Sequence, residues 1–290
     1  MAGEITTGSL TQSLPYVIAG SRLVRENEGV YNRTTDAQTL KTGTGLDWNE
    51  ISLSQFTAQT ITETTTLNNP QDIADTLFSV TLTMTGIHLK WTDRMKNRVD
   101  NGVAAKVGKG AQIAMNRRKD QDYIAMGATF TTTLAGTGTT MNSGYISAGV
   151  SRIRSNTTEP SMDTIFAVLH GYQVKDLRDE LTAGIGTYTV PEGMTAEIFR
   201  QGFDGTVDGA NVFTGNNITI DSTPDARGLL HAREAVVMVQ GRALKTYTRV
   251  VPDYGGGGEE LFLYDEYAFG ERSAGNWAYS ILTDATAPTS

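Results

Sequence analysis

The stretch WTDRMKNRVDNGVAAKVGKGAQIAMNRRKDQDYIAMGAT, residues 91–129, contains no Pro and has helix-like ends. Thr92 and Asp93 can each supply the side-chain oxygen of an N-cap. Just past it, the β-branched and Gly-containing run from Phe130 to Thr140 cannot continue a helix. Apolar residues recur at Met95, Val99, Val103, Val107, Ala111 and Met115, each four apart, with Arg, Lys, Asn and Gln filling the gaps. At 3.6 residues per turn, a four-residue step drifts by ~40°, so the apolar stripe winds around the helix. A helix of this length spans roughly 50 Å, well beyond the usual helix of about 11–12 residues.

A rod of this length is either a coiled-coil arm or a strut across which other elements lie. The stretch lacks a sustained Leu/Ile heptad, and Gly102, Gly108 and Gly110 each cost about 1 kcal/mol relative to Ala. A strut inside a β-rich subunit is therefore expected. The alternative is two shorter helices broken near Gly108.

The chain has 290 residues, enough for one large domain or two ordinary ones. It is 39% hydrophobic and 19% charged, rich in Thr and Gly, and has no Cys. Without Cys there is no disulfide framework and no thiolate metal site. No apolar run is long enough to span a membrane, and the N-terminal residues lack the basic and apolar regions of a signal peptide. The expected site of synthesis is a cytoplasm. The net charge of −8 argues against binding nucleic acid through a generally basic surface. The helix is a local exception. Nine Lys and Arg residues, among them Lys90, Lys109, Arg117, Arg118 and Lys119, stand between residues 90 and 119 against only Asp93 and Asp100. Such a face either meets an acidic partner or nucleic acid, or meets acidic strands of the same chain or of a neighbouring copy.

Residues 1–32 are polar around a short apolar patch, Leu14–Ala19, and read as an extended arm. Residues 33–70 are rich in Thr, Gln and Asn. Within them Glu50 to Ser54 alternates as a strand does, with Phe56 and Ile61 continuing a weaker pattern and Pro70 closing the segment. So polar a stretch cannot build its own core and reads as a protruding two-stranded hairpin. A helical turn is expected at residues 71–77. The clearest strand follows, with Phe78, Val80, Leu82 and Met84 alternating with Ser and Thr.

Beyond the long helix, residues 130–160 read as loop interrupted by Ile146–Ile153. A second helix is expected from Ser161 or Asp163 onward, burying Ile165, Phe166, Val168, Leu169, Tyr172, Val174, Leu177 and Leu181. A third is expected at residues 194–202 and a strand at 217–221. Strands are also expected at 235–240, 243–251, 260–269 and 277–283. Residues 252–258, including four consecutive Gly, form the tip of a long hairpin there. No Lys-Ser/Thr pair follows those Gly residues, so the phosphate-loop pattern is absent.

This order of elements resembles the major capsid (coat) proteins of tailed bacteriophages, which have the Hong Kong 97-type fold. The likeness covers nearly the whole chain and rests on element order, with local support from three stretches. Phe166 to Tyr172, followed by Leu177, resembles the strand and helix that open the family's axial domain. Phe213 to Ile220 is similar to its short glycine-containing turn and strand, and Arg249 to Ala268 to its long peripheral hairpin. The resemblance implies an α+β fold with an N-terminal arm (1–32) and an extended β-hairpin loop (33–76). It further implies a peripheral domain with a long spine helix and a β-hairpin (77–149 and 236–273) and an α/β axial domain (150–235 and 274–290).

The implied function is that of a self-assembling major capsid protein, forming hexamers and pentamers of an icosahedral shell around the double-stranded DNA genome of a phage. Such a shell assembles in the host bacterial cytoplasm and belongs to the virion. Scaffolding, portal and decoration proteins are the implied partners, with no membrane and no cofactor. Candidate subunit contacts are Tyr16 on the arm, Trp48, Ile51, Leu53 and Phe56 on the extended loop, and Tyr254 at the hairpin tip. Some family members cross-link a loop Lys to a hairpin Asn with help from a Glu. Lys41 is a candidate Lys, but the tip from Pro252 to Glu260 contains no Asn. A shell held by non-covalent contacts is therefore expected.

An enzyme is not expected. His88, His170 and His231 are far apart, and neither a Gly-x-Ser-x-Gly elbow nor a Cys nucleophile occurs. Asp176, Asp179 and Glu180 are acid/base candidates on paper, yet a solvated helix face explains them as well. The other self-assembling readings are a tail-tube subunit, which lacks a spine helix of this length, and an encapsulated-compartment shell, which shares the fold.

Overall fold

The computed structural model describes residues 29–64, 70–98, 102–182, 205–253 and 256–289. In chain order these form α1 (Tyr31–Thr34), β1 (Asp36–Thr39), β2 (Asp47–Leu53), β3 (Asp75–Thr81), β4 (Thr83–Thr92), α2 (Asp93–Arg98), α3 (Gly102–Ala125), β5 (Thr133–Ala135), α4 (Ser143–Arg154), β6 (Ile165–Leu169), α5 (Gly171–Thr182), β7 (Thr206–Val207), β8 (Ala210–Thr214), β9 (Asp225–Ala232), β10 (Val236–Val251), β11 (Gly258–Glu271) and β12 (Ala278–Asp284). The strands make three sheets, ordered β1-β10-β11-β4, β5-β12-β9-β6-β8-β7, and the pair β2-β3.

The helical stretch starts where the sequence predicts. The Met95 amide donates to Thr92 Oγ1 at 3.2 Å, so Thr92 caps α2. Residues 99–101 lie outside the described part. From Gly102 the helix runs unbroken through Gly108 and Gly110 to Ala125, about 36 Å at 1.5 Å per residue. The alternative of two helices broken near Gly108 is therefore not the one the chain adopts. The four-residue stripe also goes further than its apolar members, because Ala111, Met115, Lys119 and Tyr123 are all buried. Lys119 fits an apolar slot because Asp265 on β11 meets it at 2.6 Å. Ala111 packs with Leu261 and Leu263 of β11, flanked by Ile87, Leu89 and Trp91 of β4. The helix thus braces the four-stranded sheet.

The six-stranded sheet carries the main core. All five residues of β6 are buried, as are Leu229, Leu230 and Ala232 of β9 and Ile281 of β12. Successive side chains of β9 point to opposite faces. Leu230 meets α4, where Gly149 leaves no room for a Cβ, while His231 meets Tyr123 at the end of α3 and Leu229 meets Gly127 in the turn just beyond it. Inside this core Gln173 of α5 is fully buried and satisfied. It accepts from the His170 amide and donates to the Ala226 carbonyl and Thr283 Oγ1.

Several expectations are corrected. The helix expected from Ser161 is instead a buried strand, β6, followed by α5. Residues 146–153 belong to a helix, α4, capped by Asn142, whose Oδ1 accepts from the Tyr145 amide at 3.2 Å. Residues 71–77 form no helical turn: Asp75 to Leu77 are extended because they pair with β2. The run of alternation from Phe78 to Met84 belongs to two strands, β3 and β4. At the join, the Leu82 amide bonds the Leu46 carbonyl. The hairpin therefore closes at Thr81 and not at Pro70. The strand expected at 217–221 reduces to a bridge at Ile220, with the real strand at Ala210–Thr214. The two strands expected at 235–251 are one, β10, whose irregular register at Gln240, Arg242 and Lys245 interrupts the pattern. Central strand β9 was not anticipated. The third helix, at residues 194–202, lies outside the described residues.

Candidate assembly surface

Strands β2 and β3 form a ribbon with Trp48 opposite Val80, Glu50 opposite Phe78 and Ile51 opposite Leu77. Side chains alternate across it. The inner set, Trp48, Glu50, Phe78 and Val80, faces the body. Val80 packs with Leu82, Val237, Val239 and Ala268, with Trp48 and Phe78 laid against that cluster. Gly270 of β11 makes this approach possible, because a Cβ there would collide with Val80 and Phe78. The outer set is left open. Ile51, Leu53 and Leu77 are 61–63% exposed, as is Phe56 beyond the end of β2.

Of the candidate contacts, Ile51, Leu53 and Phe56 thus stand on open surface. Trp48 does not. Its ring is taken by Phe78, at 6.1 Å edge-on, and by the Arg272 guanidinium, at 5.6 Å. Tyr16 and Tyr254 lie outside the described residues. Leu46, Ile73 and Leu77, together with Ile61, which the sequence marks only as a weak strand position, are each more than half exposed on the same projection. The alternation of β3 with its partner was the signal that could have placed Leu77 beside Ile51.

One cation ties the ribbon root to the body. Arg272, at the end of β11, donates from Nε to Glu50 Oε2 and from Nη1 to Asp36 Oδ2, both at 2.7 Å, and to the Glu234 carbonyl at 3.1 Å. Beyond the root, a cleft of about 420 Å³ separates the ribbon from the body. Its lining includes Glu50 and Phe78 on the ribbon side and Glu159, Glu234, Glu271 and Trp277 on the body side. Glu159 accepts from Ser273 Oγ, Glu234 from Ser161 Oγ and Glu271 from the Gly275 amide. Burial raises the Glu271 carboxyl pKa above its ordinary value. At the far side of the cleft, Gln55 Nε2 donates to the Thr158 carbonyl.

The start of the described chain is fastened to the helix by buried polar groups. Asp120 accepts from the Val30 and Tyr31 amides at 2.8 and 3.3 Å and from Asn217 Nδ2 at 2.8 Å. Burial raises its pKa, and these donors oppose the shift. Three residues on, Thr34 Oγ1 donates to Tyr123 Oη (3.0 Å), which in turn donates to His231 Nε2 (2.6 Å). Nδ1–H of His231 donates to the Ala232 carbonyl at 2.9 Å. This neutral tautomer satisfies every member. Burial lowers the His231 pKa to about 4 and raises that of Tyr123.

Two cations at the C-terminal part of the helix, Lys119 and Arg118, find acidic partners within the chain. Lys119 meets Asp265, and Arg118 meets Asp122, which also accepts from Tyr267 Oη at 2.6 Å. Of the carboxylates on α5, Asp179 pairs with Lys175 and Glu180 accepts from the Ser143 amide and hydroxyl at the start of α4. His88 lies stacked on Phe262. Among the described residues, no three His, Asp or Glu side chains are grouped to hold a metal ion, and no helix is long and apolar enough to cross a membrane.

No protein-family model and no curated protein matches the chain by sequence. Solved structures do match. The capsid asymmetric unit of cyanophage Pam1 superimposes with a TM-score of 0.72 at 11% identity, covering 99% of this chain and all of that one. The capsid of cyanophage P-SCSP1u gives 0.69 at 12% identity, with 97% and 96% covered. The acid-stable capsid of Helicobacter pylori bacteriophage KHP30 gives 0.69 at 12%, with 98% and 100% covered. With strut helix, ribbon, long β10–β11 hairpin and mixed sheet in the expected order, the chain has the Hong Kong 97-type α+β fold.

Proposed function

We propose that this chain is a major capsid protein, the repeated subunit of an icosahedral shell that encloses the double-stranded DNA of a tailed bacteriophage. The observation that carries this reading is the open outer face of the ribbon, in a fold shared end to end with phage capsid subunits. Burying an exposed Ile or Leu is worth about 1.5–3 kcal/mol. Ile51, Leu53 and Leu77 forgo that gain in the isolated chain, and a neighbouring copy recovers it. Such a contact is individually modest, but a shell repeats it in every subunit, so weak contacts add up to a stable particle. A heterologous contact that closes by rotation gives rings and then a closed surface, here hexamers and pentamers.

The net charge of −8 suits a container filled with DNA from outside and not one that condenses DNA on basic tails. Separate scaffolding, portal and decoration proteins are its companions in this reading, and the virion is its destination. The work of the chain is assembly, with no catalytic step.

The test is electron microscopy of the expressed chain, alone and with candidate scaffolding. Closed shells are expected. Monomers under every condition would contradict the proposal. A deletion of residues 55–73, bridged by a short turn, should keep the fold and abolish assembly. The deletion starts there because Thr34, Thr35 and β1 are tied to the body by burial and by pairing with β10, and β2 is needed to pair with β3 and lay Trp48 against the body.

A further inference from the structure

We infer that Arg272 is a latch that sets the angle of the ribbon against the body. Among the described residues, the guanidinium bridges both sides of the ribbon root. It bonds Glu50 on β2, Asp36 on β1 and the Glu234 carbonyl, with its face against Trp48. Its side chain is 14% exposed, so these bonds form largely away from water. Apart from the Trp48, Phe78 and Val80 contacts, the ribbon crosses an open cleft and touches down through Gln55 on the Thr158 carbonyl.

Without the guanidinium, Glu50 would face Glu159, Glu234 and Glu271 across the cleft. The partners of these three among the described residues are hydroxyls and an amide. Like charges across a cleft repel, so loss of the latch pushes the ribbon outward instead of leaving it where it lies. Lys is a poor substitute, because a single ammonium cannot span two carboxylates and stack on an indole at once. The consequence for shell geometry rests on the capsid reading. The latch itself is a property of one chain.

The chain has no Cys, so two introduced thiols can be labelled uniquely. Spin labels at Thr60→Cys on the ribbon and Ser151→Cys on α4 report the ribbon angle in the unassembled full-length protein. The original sequence should give one narrow distance distribution. Arg272→Ala should shift it to longer distances and broaden it, with Arg272→Lys and Glu50→Gln in between. Amide exchange from Trp48 to Leu53 should rise about tenfold in Arg272→Ala. Unchanged distributions in Arg272→Ala and Glu50→Gln would overturn the latch. If Arg272→Ala does not fold, Glu50→Gln decides, since Glu50 lies on the ribbon and is 42% exposed. A chain that never forms shells would count against the capsid reading, while the distances would still judge the latch.

Discussion

The six-stranded sheet and the ribbon are built from similar residues to opposite ends. In the sheet, β6 has every residue buried, and even polar residues on β9, such as Asp225 and His231, are covered and bonded. In the ribbon, five of the seven residues of β2 are exposed, and so are five of β3. Its one sheltered side is held by a small cluster and one Arg. The sheet is complete in one chain. The ribbon is an isolated two-stranded hairpin over most of its length, a form that is marginal in water by itself. Side-chain chemistry alone does not separate the two regions, since Ile, Leu and Phe occur in both. What differs is how much of each region its own chain covers.

That contrast can be attacked first at the core. Leu229→Ala on β9 should cost about 2–5 kcal/mol by transfer and cavity terms, measured by denaturant unfolding. If it is tolerated as readily as a ribbon substitution, the sheet is not the core described here.

Acidification is the next test. The folded His231 resists protonation down to about 4, whereas an exposed His titrates near 6.5. The unfolded chain therefore binds a proton first as pH falls. Stability from this group is fully present above 6.5 and is lost between 6.5 and about 4, on the order of 3 kcal/mol. Asp120 and Glu271, whose folded pKa values are raised, act in the opposite sense. Comparing unfolding of the original chain and of His231→Gln across that window isolates the effect, and parallel curves would refute it.

A smaller change sharpens the same junction. Tyr123→Phe leaves His231 Nε2 without its donor and Thr34 Oγ1 without that acceptor, at about 1–3 kcal/mol. At the low end, Ile51→Ser should alter the stability of the isolated chain by no more than about 0.5 kcal/mol, as surface substitutions usually do. A larger loss would mean that the ribbon is packed onto its own chain.

The sequence carried the strut, the ribbon and the long hairpin because each has a strong local signal: four-residue spacing, period-two alternation, and a Gly-rich turn. It misplaced what depends on partners. Ile165 to Leu169 is a short apolar run, and such a run cannot be told from a helix face by periodicity when both sides are buried. β9 reads as polar because Asp225, Arg227 and His231 interrupt it. Its membership in the core appears only once Tyr123 and the Gly138 amide are seen to meet His231 and Asp225. Alternation from Phe78 to Met84 is real, but no local pattern marks the change of partner from β2 to β11 at Leu82. On the open face of the ribbon, Ile51, Leu53 and Phe56 were legible as ribbon residues. Arg272 was not, because the two carboxylates it bridges, Glu50 and Asp36, stand more than two hundred residues away in sequence.

The most direct measurement compares the original chain with a triple variant, Ile51→Ser, Leu53→Ser and Leu77→Ser, by thermal unfolding and electron microscopy side by side. The account predicts near-equal melting temperatures, closed shells from the original chain and unassembled subunits from the variant. Shells formed equally well by the variant would contradict it.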